Sequence, residues 1–231
     1  MNISRIVLFI GLMLFTNTAL QAQSENFLFE DEEFSEADFE LGAKPAMVHR
    51  EYDSKATWWW LHNQTSSSIK TFLKKNPSAR IIDIEVEKAS PLRLSVAFIK
   101  NSGNYAVNGW WWYQGTSAQI KSYLSQNNAR LIDIERFVVN GSNRYYAVMI
   151  KNSGDHAKAW WYYLGVSLDA LKASIARNNA RIVDLESYKV GGKTVYSAVL
   201  IRNTGIDKAG WWWYLNTTLS TITSKLKANN A

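Results

Sequence analysis

Aromatic side chains supply the most prominent chemistry in this sequence, because all 11 tryptophans lie in four short clusters. The clusters occupy residues 58–60, 110–113, 160–163 and 211–214, and they begin 52, 50 and 51 residues apart. Flat indole rings stack on sugar rings or hold apolar peptide, and exposed apolar patches usually mark binding sites. The regular spacing suits a polymeric ligand.

Alternate members of each cluster are expected to share one face, because neighbouring side chains of a strand point to opposite sides of a sheet. We expect one such face to bind the ligand, through Trp58, Trp60, Trp110, Trp112, Trp160, Tyr162, Trp211 and Trp213. The alternative is that both faces are core, with one set under a helix and the other between repeats.

Acidic side chains recur with the same period, in segments that begin at residues 79, 129 and 180. Each segment has the pattern Arg-x-x-Asp-x-Glu, so simple alternation places Asp83 and Glu85 on one strand face and Arg80 on the other. Three such strands could gather their aspartates around an axis, where carboxylates bind cations. The alternative is that each Asp pairs with a base or caps a turn of the neighbouring repeat. Recurrence in every unit favours this structural role, so we predict no metal and no other cofactor.

Enzyme motifs are almost absent. The histidines His49, His62 and His156 lie in different units without the spacing of metal ligands. Ser67 and Lys70 match a Ser-x-x-Lys nucleophile motif, but its companion motifs are missing and Ser67 lies at a predicted helix start. No phosphate-binding loop or dinucleotide fingerprint is present. We therefore predict a non-catalytic protein with no catalytic residues.

The segments around the clusters define a repeating unit. After each cluster come a hydroxyl residue, apolar residues at helical spacing and a terminating Asn, which predict a capped amphipathic helix. The Arg-x-x-Asp-x-Glu strand follows, then a hairpin signal such as Asn140-Gly141 and a second strand. The next cluster is predicted to form a short third strand.

These elements predict an α+β fold of four tandem strand-strand-strand-helix repeats, arranged as a propeller-like ring or a short curved array. The repeat domain spans residues 46–231, with units at approximately 46–78, 79–128, 129–179 and 180–231. The repeat domain begins partway through a unit rather than at a unit boundary. This favours either closure of a ring or a piece of a longer repeat protein.

The whole-unit pattern resembles the bacterial tandem repeat domain family. It is carried by Ala-Arg-Ile-Val-Asp-Leu-Glu at 180–186, Val-Gly-Gly-Lys-Thr-Val-Tyr-Ser-Ala-Val at 190–199, and then tryptophan and a helix. The family is also similar to the N-terminal domain of secreted fungal polyglycine hydrolases. The resemblance covers residues 46–231 and implies a domain that often precedes a serine hydrolase of β-lactamase type. This chain has a Trp triplet where the family has one Trp, and no hydrolase domain, so no catalytic role is carried over.

The N-terminal residues predict export. Arg5, an apolar run at residues 6–15 and Ala22 match a signal peptide at 1–22. A leader at 23–45 follows, with eight acids interrupted by phenylalanines, while residues 45–231 carry a balance of +12. The leader is expected to be a solvated tail, with docking on the basic body as the alternative. With no cysteine, packing rather than disulfides must hold the fold.

Together these features predict a secreted or periplasmic binding or adhesion module for an extracellular or cell-envelope glycan or peptide polymer. We expect no nucleic-acid partner and no stable membrane insertion after signal cleavage. The alternatives are a structural scaffold or fragment of a larger repeat protein, or an accessory domain of a serine hydrolase. The sequence leaves the oligomeric state open.

Overall fold

The computed structural model describes residues 56–229. The predictions of a signal peptide at 1–22, of a leader at 23–45 and of the start of the first unit lie outside the described residues. The described part of the chain divides into two compact units, residues 56–202 and residues 203–229. No helix within 56–229 combines the length and the apolar character that crossing a bilayer requires.

The unit at 56–202 contains nine strands and three α-helices among its described residues. In chain order they are β1 (Trp58–Gln64), α1 (Ser66–Lys75), β2 (Ala79–Ala89), β3 (Leu92–Lys100), β4 (Trp110–Gly115), α2 (Ser117–Gln126), β5 (Ala129–Val139), β6 (Ser142–Lys151), β7 (Trp160–Val166), α3 (Leu168–Asn178), β8 (Ala180–Val190) and β9 (Lys193–Arg202). A fourth helix, α4 (Leu219–Ala228), lies in the unit at 203–229.

The strands form three three-stranded antiparallel sheets, in the orders β1-β3-β2, β4-β6-β5 and β7-β9-β8. In each sheet the strand that comes last in the sequence is therefore central, and a helix connects the two edge strands. The α+β class and the repetition of sheets with helices are confirmed. No closed barrel or propeller is found within residues 56–229, so the ring is not confirmed.

The order within each folded sheet differs from the predicted strand-strand-strand-helix order. Aromatic strand β4 pairs with β6, which follows its helix, and makes no sheet with the preceding strand β3. The hairpin of β5 and β6 leaves one edge of β6 free, and β4 occupies that edge. The aromatic strand therefore opens a sheet unit, and the observed order is strand-helix-strand-strand.

The helix boundaries follow from side-chain caps, as the sequence predicted. The hydroxyls of Thr65, Thr116 and Ser167 accept backbone N–H groups of the first turns of α1, α2 and α3. Such caps each stabilise a helix by roughly 1 kcal/mol. Asn residues close all four helices, and Asn179 does so in the left-handed conformation at φ 46°. The C-caps are Asn76, Asn127, Asn179 and Asn229.

Each core is shared by neighbouring sheets. The first core joins Ile69 of α1 to Ile81 and Phe98 of the first sheet, and it continues into Tyr146 and Val148 of the second sheet. Burying one such side chain stabilises the fold by roughly 1.5–3 kcal/mol. The sheets of residues 56–202 thus pack face to face, and each needs its neighbour to complete its core.

The unit at 203–229 contains the fourth aromatic cluster and α4. Residues 211–214 are not a strand, although the sequence predicted one. In the three sheets of residues 56–202, the partner of the aromatic strand comes after the helix, and no strand follows α4 within the residues that the structure describes. The cluster packs locally instead, where the Asn229 side-chain amide donates to the Tyr214 hydroxyl at 3.0 Å.

Candidate functional site

Carboxylates line the face of each sheet that holds the first and third aromatics of its cluster, a face that we name the carboxylate face. In the first sheet Asp83 pairs with Ala97 and Glu85 with Ser95, while Trp60 also pairs with Ala97. Paired residues lie on the same side of a sheet, so the acids and this indole share one face. The same relation recurs in the second and third sheets.

The prediction that Arg80 lies on the opposite face is wrong. The register shifts between Ile81 and Asp83, so one extra residue is accommodated before the aspartate. A β-bulge of this kind inverts the alternation. As a result Arg80, which pairs with Ile99, lies on the carboxylate face with Asp83. Its guanidinium donates to the backbone oxygen of Tyr105 at 3.3 Å.

The aspartates join neighbouring sheets. The backbone N–H of Ile84 in β2 donates to the Asp133 carboxylate in β5 at 3.2 Å, and the N–H of Ile134 donates to Asp184 in β8 at 3.0 Å. Both donors lie on edge strands, whose outward N–H groups lack a ladder partner. The carboxylates therefore satisfy the free edge of the preceding sheet. This is a structural contact between repeats, but the partner is a strand N–H rather than the base or turn that the sequence favoured.

The glutamates meet where β2, β5 and β8 lie side by side. Carboxylate oxygens of Glu85, Glu135 and Glu186 are all within 4.8 Å of one another, and we call these residues the glutamate cluster. Burial, with repulsion from Glu135, raises the pKa of Glu85 to about 9. Burial raises the pKa of Glu135 to about 7. Burial and the Glu135 charge raise the pKa of Glu186 to about 12, so Glu186 stays protonated and its O–H donates a hydrogen bond to the Glu135 carboxylate.

The neighbouring aspartates have raised pKa values for the same physical reason. Burial raises the pKa of Asp184 to about 8, and it raises those of Asp83 and Asp133. Charged carboxylates so close together repel each other and are poorly solvated, so protons are held at neutral pH. The glutamate cluster has the hard oxygen donors that Ca²⁺ and Mg²⁺ prefer. It is the one group with three such ligand side chains in the part of the chain that the structure describes.

In the first two sheets, an aromatic of the opposite strand face packs on the helix of its own unit. Trp59 lies edge-on to Phe72 of α1, with ring centroids 6.0 Å apart. Tyr113, the fourth residue of its cluster, stacks on Tyr123 of α2 at 4.1 Å. These side chains form the contact between helix and sheet that an amphipathic helix requires.

The candidate binding aromatics of the second and third sheets lie between sheets. Trp110 and Trp112 pack against the first core, and Trp160 and Tyr162 pack against the second. All four are half-buried. A shallow, open depression of about 400 Å³ is nevertheless lined by residues 160–163 of this third cluster.

The candidate aromatics of the other two clusters have different surroundings. Trp58 is half-buried and Trp60 is 42% exposed, the most exposed tryptophan in the described residues. In the unit at 203–229, Trp211 and Trp213 are half-buried and stack on each other at 6.5 Å.

A polar cluster beside Trp60 was not found from the sequence. The His62 ring stacks on Trp60, with centroids 5.6 Å apart, and its Nδ1 lies 2.5 Å from Glu87. Glu87 also accepts hydrogen bonds from the Ser95 hydroxyl and from the Asn63 backbone N–H. The available signal was that His62 follows Trp60 by two residues and therefore shares its face.

The Ser-x-x-Lys match lies apart from these groups. Ser67 and Lys70 are exposed on the first turns of α1, where the Ser67 carbonyl accepts the Thr71 hydroxyl. His156 lies in a short turn at Gly154–His156, and its backbone oxygen accepts the Arg130 guanidinium at 3.4 Å. His62 and His156 thus take part in separate local structures.

Comparison with known proteins found no matching family model, no matching characterised protein and no matching solved structure. The resemblance to the bacterial tandem repeat domain stays a prediction from the sequence.

Proposed function

We propose that this chain is an exported, non-catalytic binding module that holds a glycan on the carboxylate face of its first sheet. The observation that carries the proposal is the platform of Trp60 and His62, which stack together beside Glu87 and Ser95. Trp60 is 42% exposed on this platform, although every other tryptophan of residues 56–229 is half-buried.

The chemistry of the platform suits a sugar ring. An indole offers a flat apolar surface for the C–H face of the ring, and a large exposed aromatic rimmed by polar groups is typical of binding sites. The imidazole, carboxylate and hydroxyl beside it supply donors and acceptors for sugar hydroxyls, which both donate and accept hydrogen bonds. An extended peptide polymer would use a different feature, the outer edge of β1, which has no strand partner among residues 56–229, through main-chain hydrogen bonds.

The proposed site is narrower than the continuous aromatic row expected from the spacing. Trp112 and Trp160 support the packing of one sheet on the next, so they are assigned to the scaffold rather than to the ligand. Export to the periplasm or the medium, and a ring or short curved array of all four units, are parts of this proposal that rest on the sequence.

A purely structural scaffold is the second candidate, and the inter-sheet positions of Trp112 and Trp160 favour it. In that case the aromatic clusters only pack the sheets and helices together, and Trp60 does not bind a ligand.

Calorimetric titration of the full chain with chitin fragments, peptidoglycan fragments and anionic envelope glycans distinguishes the candidates. We expect saturable binding of one class, weakened at least about fivefold by Trp60→Ala because a stacking contact contributes about 1 kcal/mol or more. Ile206→Ala is the matched control, since it removes an apolar side chain that is 96% exposed in the other compact unit. Glycine-rich peptides test strand addition at β1. Absence of binding to every glycan supports the scaffold.

A further inference from the structure

Three hairpin turns lie at one end of the unit at 56–202. Strands β2, β5 and β8 run side by side in the same direction, since Ile84 and Val86 donate in order to Asp133 and Glu135. The glutamate cluster fixes the alignment of all three strands. Each turn begins five residues after its clustered glutamate, at Ser90, Asn140 and Gly191. At roughly 3.3 Å per residue, all three turns extend about 17 Å beyond the cluster.

This hairpin end is strongly basic. It comprises residues 86–93, 136–144 and 187–194, which include six Lys or Arg side chains and one acid, Glu87. Lys88, Lys189 and Lys193 are exposed, and the three arginines are half-buried. The strands remain adjacent close to the turns, because the Arg136 guanidinium lies 4.2 Å from the centre of the Tyr188 ring. The charges therefore belong to one surface rather than to three separate loops.

Apolar side chains project from the same end. Val138 is 42% exposed, Val139 37% and Val190 52%, and they flank the turns at Asn140-Gly141 and Gly191-Gly192. Single exposed valines are ordinary in strands, but these three flank two turns of a basic surface, where they could enter a lipid headgroup layer together. The backbone of both turns has positive φ, which Asn and Gly adopt readily, so the tips are narrow and carry no bulky side chain.

We infer that the hairpin end docks on an anionic membrane surface, with the lysines and arginines at the lipid phosphates and the valines in the headgroup region. Charge complementarity selects an anionic partner. The valines select a lipid surface over a soluble anionic polymer, which offers no apolar layer to receive them. The docking is peripheral.

The direct test is sedimentation of the mature chain, residues 23–231, with vesicles. We expect binding to mixed phosphatidylglycerol and phosphatidylcholine vesicles, little binding to phosphatidylcholine alone, and weakening by salt. Each base near an anionic surface contributes roughly fivefold to binding. The double variant Lys189→Gln and Lys193→Gln is therefore expected to bind the anionic vesicles roughly 25-fold more weakly.

A charge-matched control separates this surface from the net charge of the protein. Lys70→Gln with Lys121→Gln removes two exposed lysines from α1 and α2 and should change vesicle binding much less than the hairpin variant. Equal losses in both variants would overturn the inference. Circular dichroism and urea midpoints of the variants verify that each is folded.

The valines separate a membrane from a soluble polymer. Val138→Ser with Val190→Ser should weaken vesicle binding at least about tenfold, because apolar contact with the headgroup layer is lost. Binding to soluble polyphosphate should not change. If vesicle binding survives the valine replacements, or if wild-type protein does not bind anionic vesicles, the inference is wrong.

The acidic leader at 23–45 is the competing occupant, since it carries eight acids. A variant of the same mature chain with Glu30, Asp31, Glu32 and Glu33 changed to their amides tests whether the leader occupies the hairpin end. If the wild-type protein does not bind vesicles and this variant does, the leader rather than a membrane occupies the hairpin end. That result would overturn the inference. Equal binding by both proteins supports the membrane.

Discussion

Replacing Glu135 by glutamine is expected to stabilise the protein at alkaline pH and to change its stability little at acid pH. Glu135 is 8% exposed, accepts a hydrogen bond from the protonated Glu186, and lies within 4.8 Å of two other carboxylates. Glutamine has nearly the same shape, retains a carbonyl oxygen that can accept the Val86 N–H, and carries no charge.

The direction in which stability changes with pH follows from the raised pKa of Glu135. Burial raises the pKa of Glu135 from 4.5 to about 7, so between these values the folded state holds a proton that the unfolded state releases. Stability therefore falls as pH rises through this window, and the full cost is present above about pH 7. The pKa values of Asp184, about 8, and Glu85, about 9, extend the decline of wild-type stability towards pH 9.

The size of the destabilisation at alkaline pH follows from the same pKa. A rise from 4.5 to about 7 corresponds to about 3 kcal/mol of destabilisation at alkaline pH, since one pKa unit is worth about 1.4 kcal/mol. At m-values of about 1–3 kcal/mol per molar urea, the Glu135→Gln midpoint should rise by at least about 1 M at pH 9. The midpoints of variant and wild type should converge near pH 4.5. Tryptophan fluorescence monitors unfolding, because all 11 tryptophans lie in the repeats.

The control is Asp155→Asn, which removes an exposed carboxylate from the turn at 154–156 and should leave the pH profile unchanged. Two results would refute the reasoning. One is a wild-type protein that is as stable at pH 9 as at pH 5, and the other is a Glu135→Gln variant that loses stability at alkaline pH.

Two further variants test contacts between neighbouring sheets by urea unfolding. Asp133→Ala leaves the Ile84 N–H without its acceptor and should cost about 1–3 kcal/mol, whereas Asp133→Asn keeps an acceptor and should change stability by less than about 1 kcal/mol. Equal losses would show that the hydrogen bond is unimportant. Tyr146→Phe removes a hydroxyl that is bonded to Ser66 at 2.8 Å and to Gln114 at 3.3 Å, and it should cost about 1 kcal/mol. An unchanged midpoint would contradict this.

Much of the local structure could be predicted from the sequence because it depends on local chemistry. Hydroxyl and Asn residues determine where the helices begin and end, and Asn-Gly or Gly-Gly pairs determine the hairpin turns. The repeated Asp also indicated a contact between repeats, which the Ile84 to Asp133 hydrogen bond supplies. These features need only nearby residues and a known period.

The strand phase and the face of Arg80 could not be predicted in the same way. The bulge before Asp83 adds one residue to the strand, and no turn residue or break in hydrophobicity marks it. The aromatic strand lies between two candidate partners in sequence, and only tertiary pairing selects the strand after the helix. The polar cluster beside Trp60 joins His62 to Ser95, 33 residues away, which no local pattern reveals.

The most direct test of the proposed glycan site is a fluorescence titration of Trp60→Phe beside wild-type protein, using the glycan class that calorimetry identifies. Phenylalanine keeps an aromatic surface for stacking but removes the indole that reports on the site. We predict a saturable emission shift in wild type and retained calorimetric binding, with most of the shift lost, in Trp60→Phe. A shift that persists unchanged in the variant would place the ligand at another cluster and contradict the proposal.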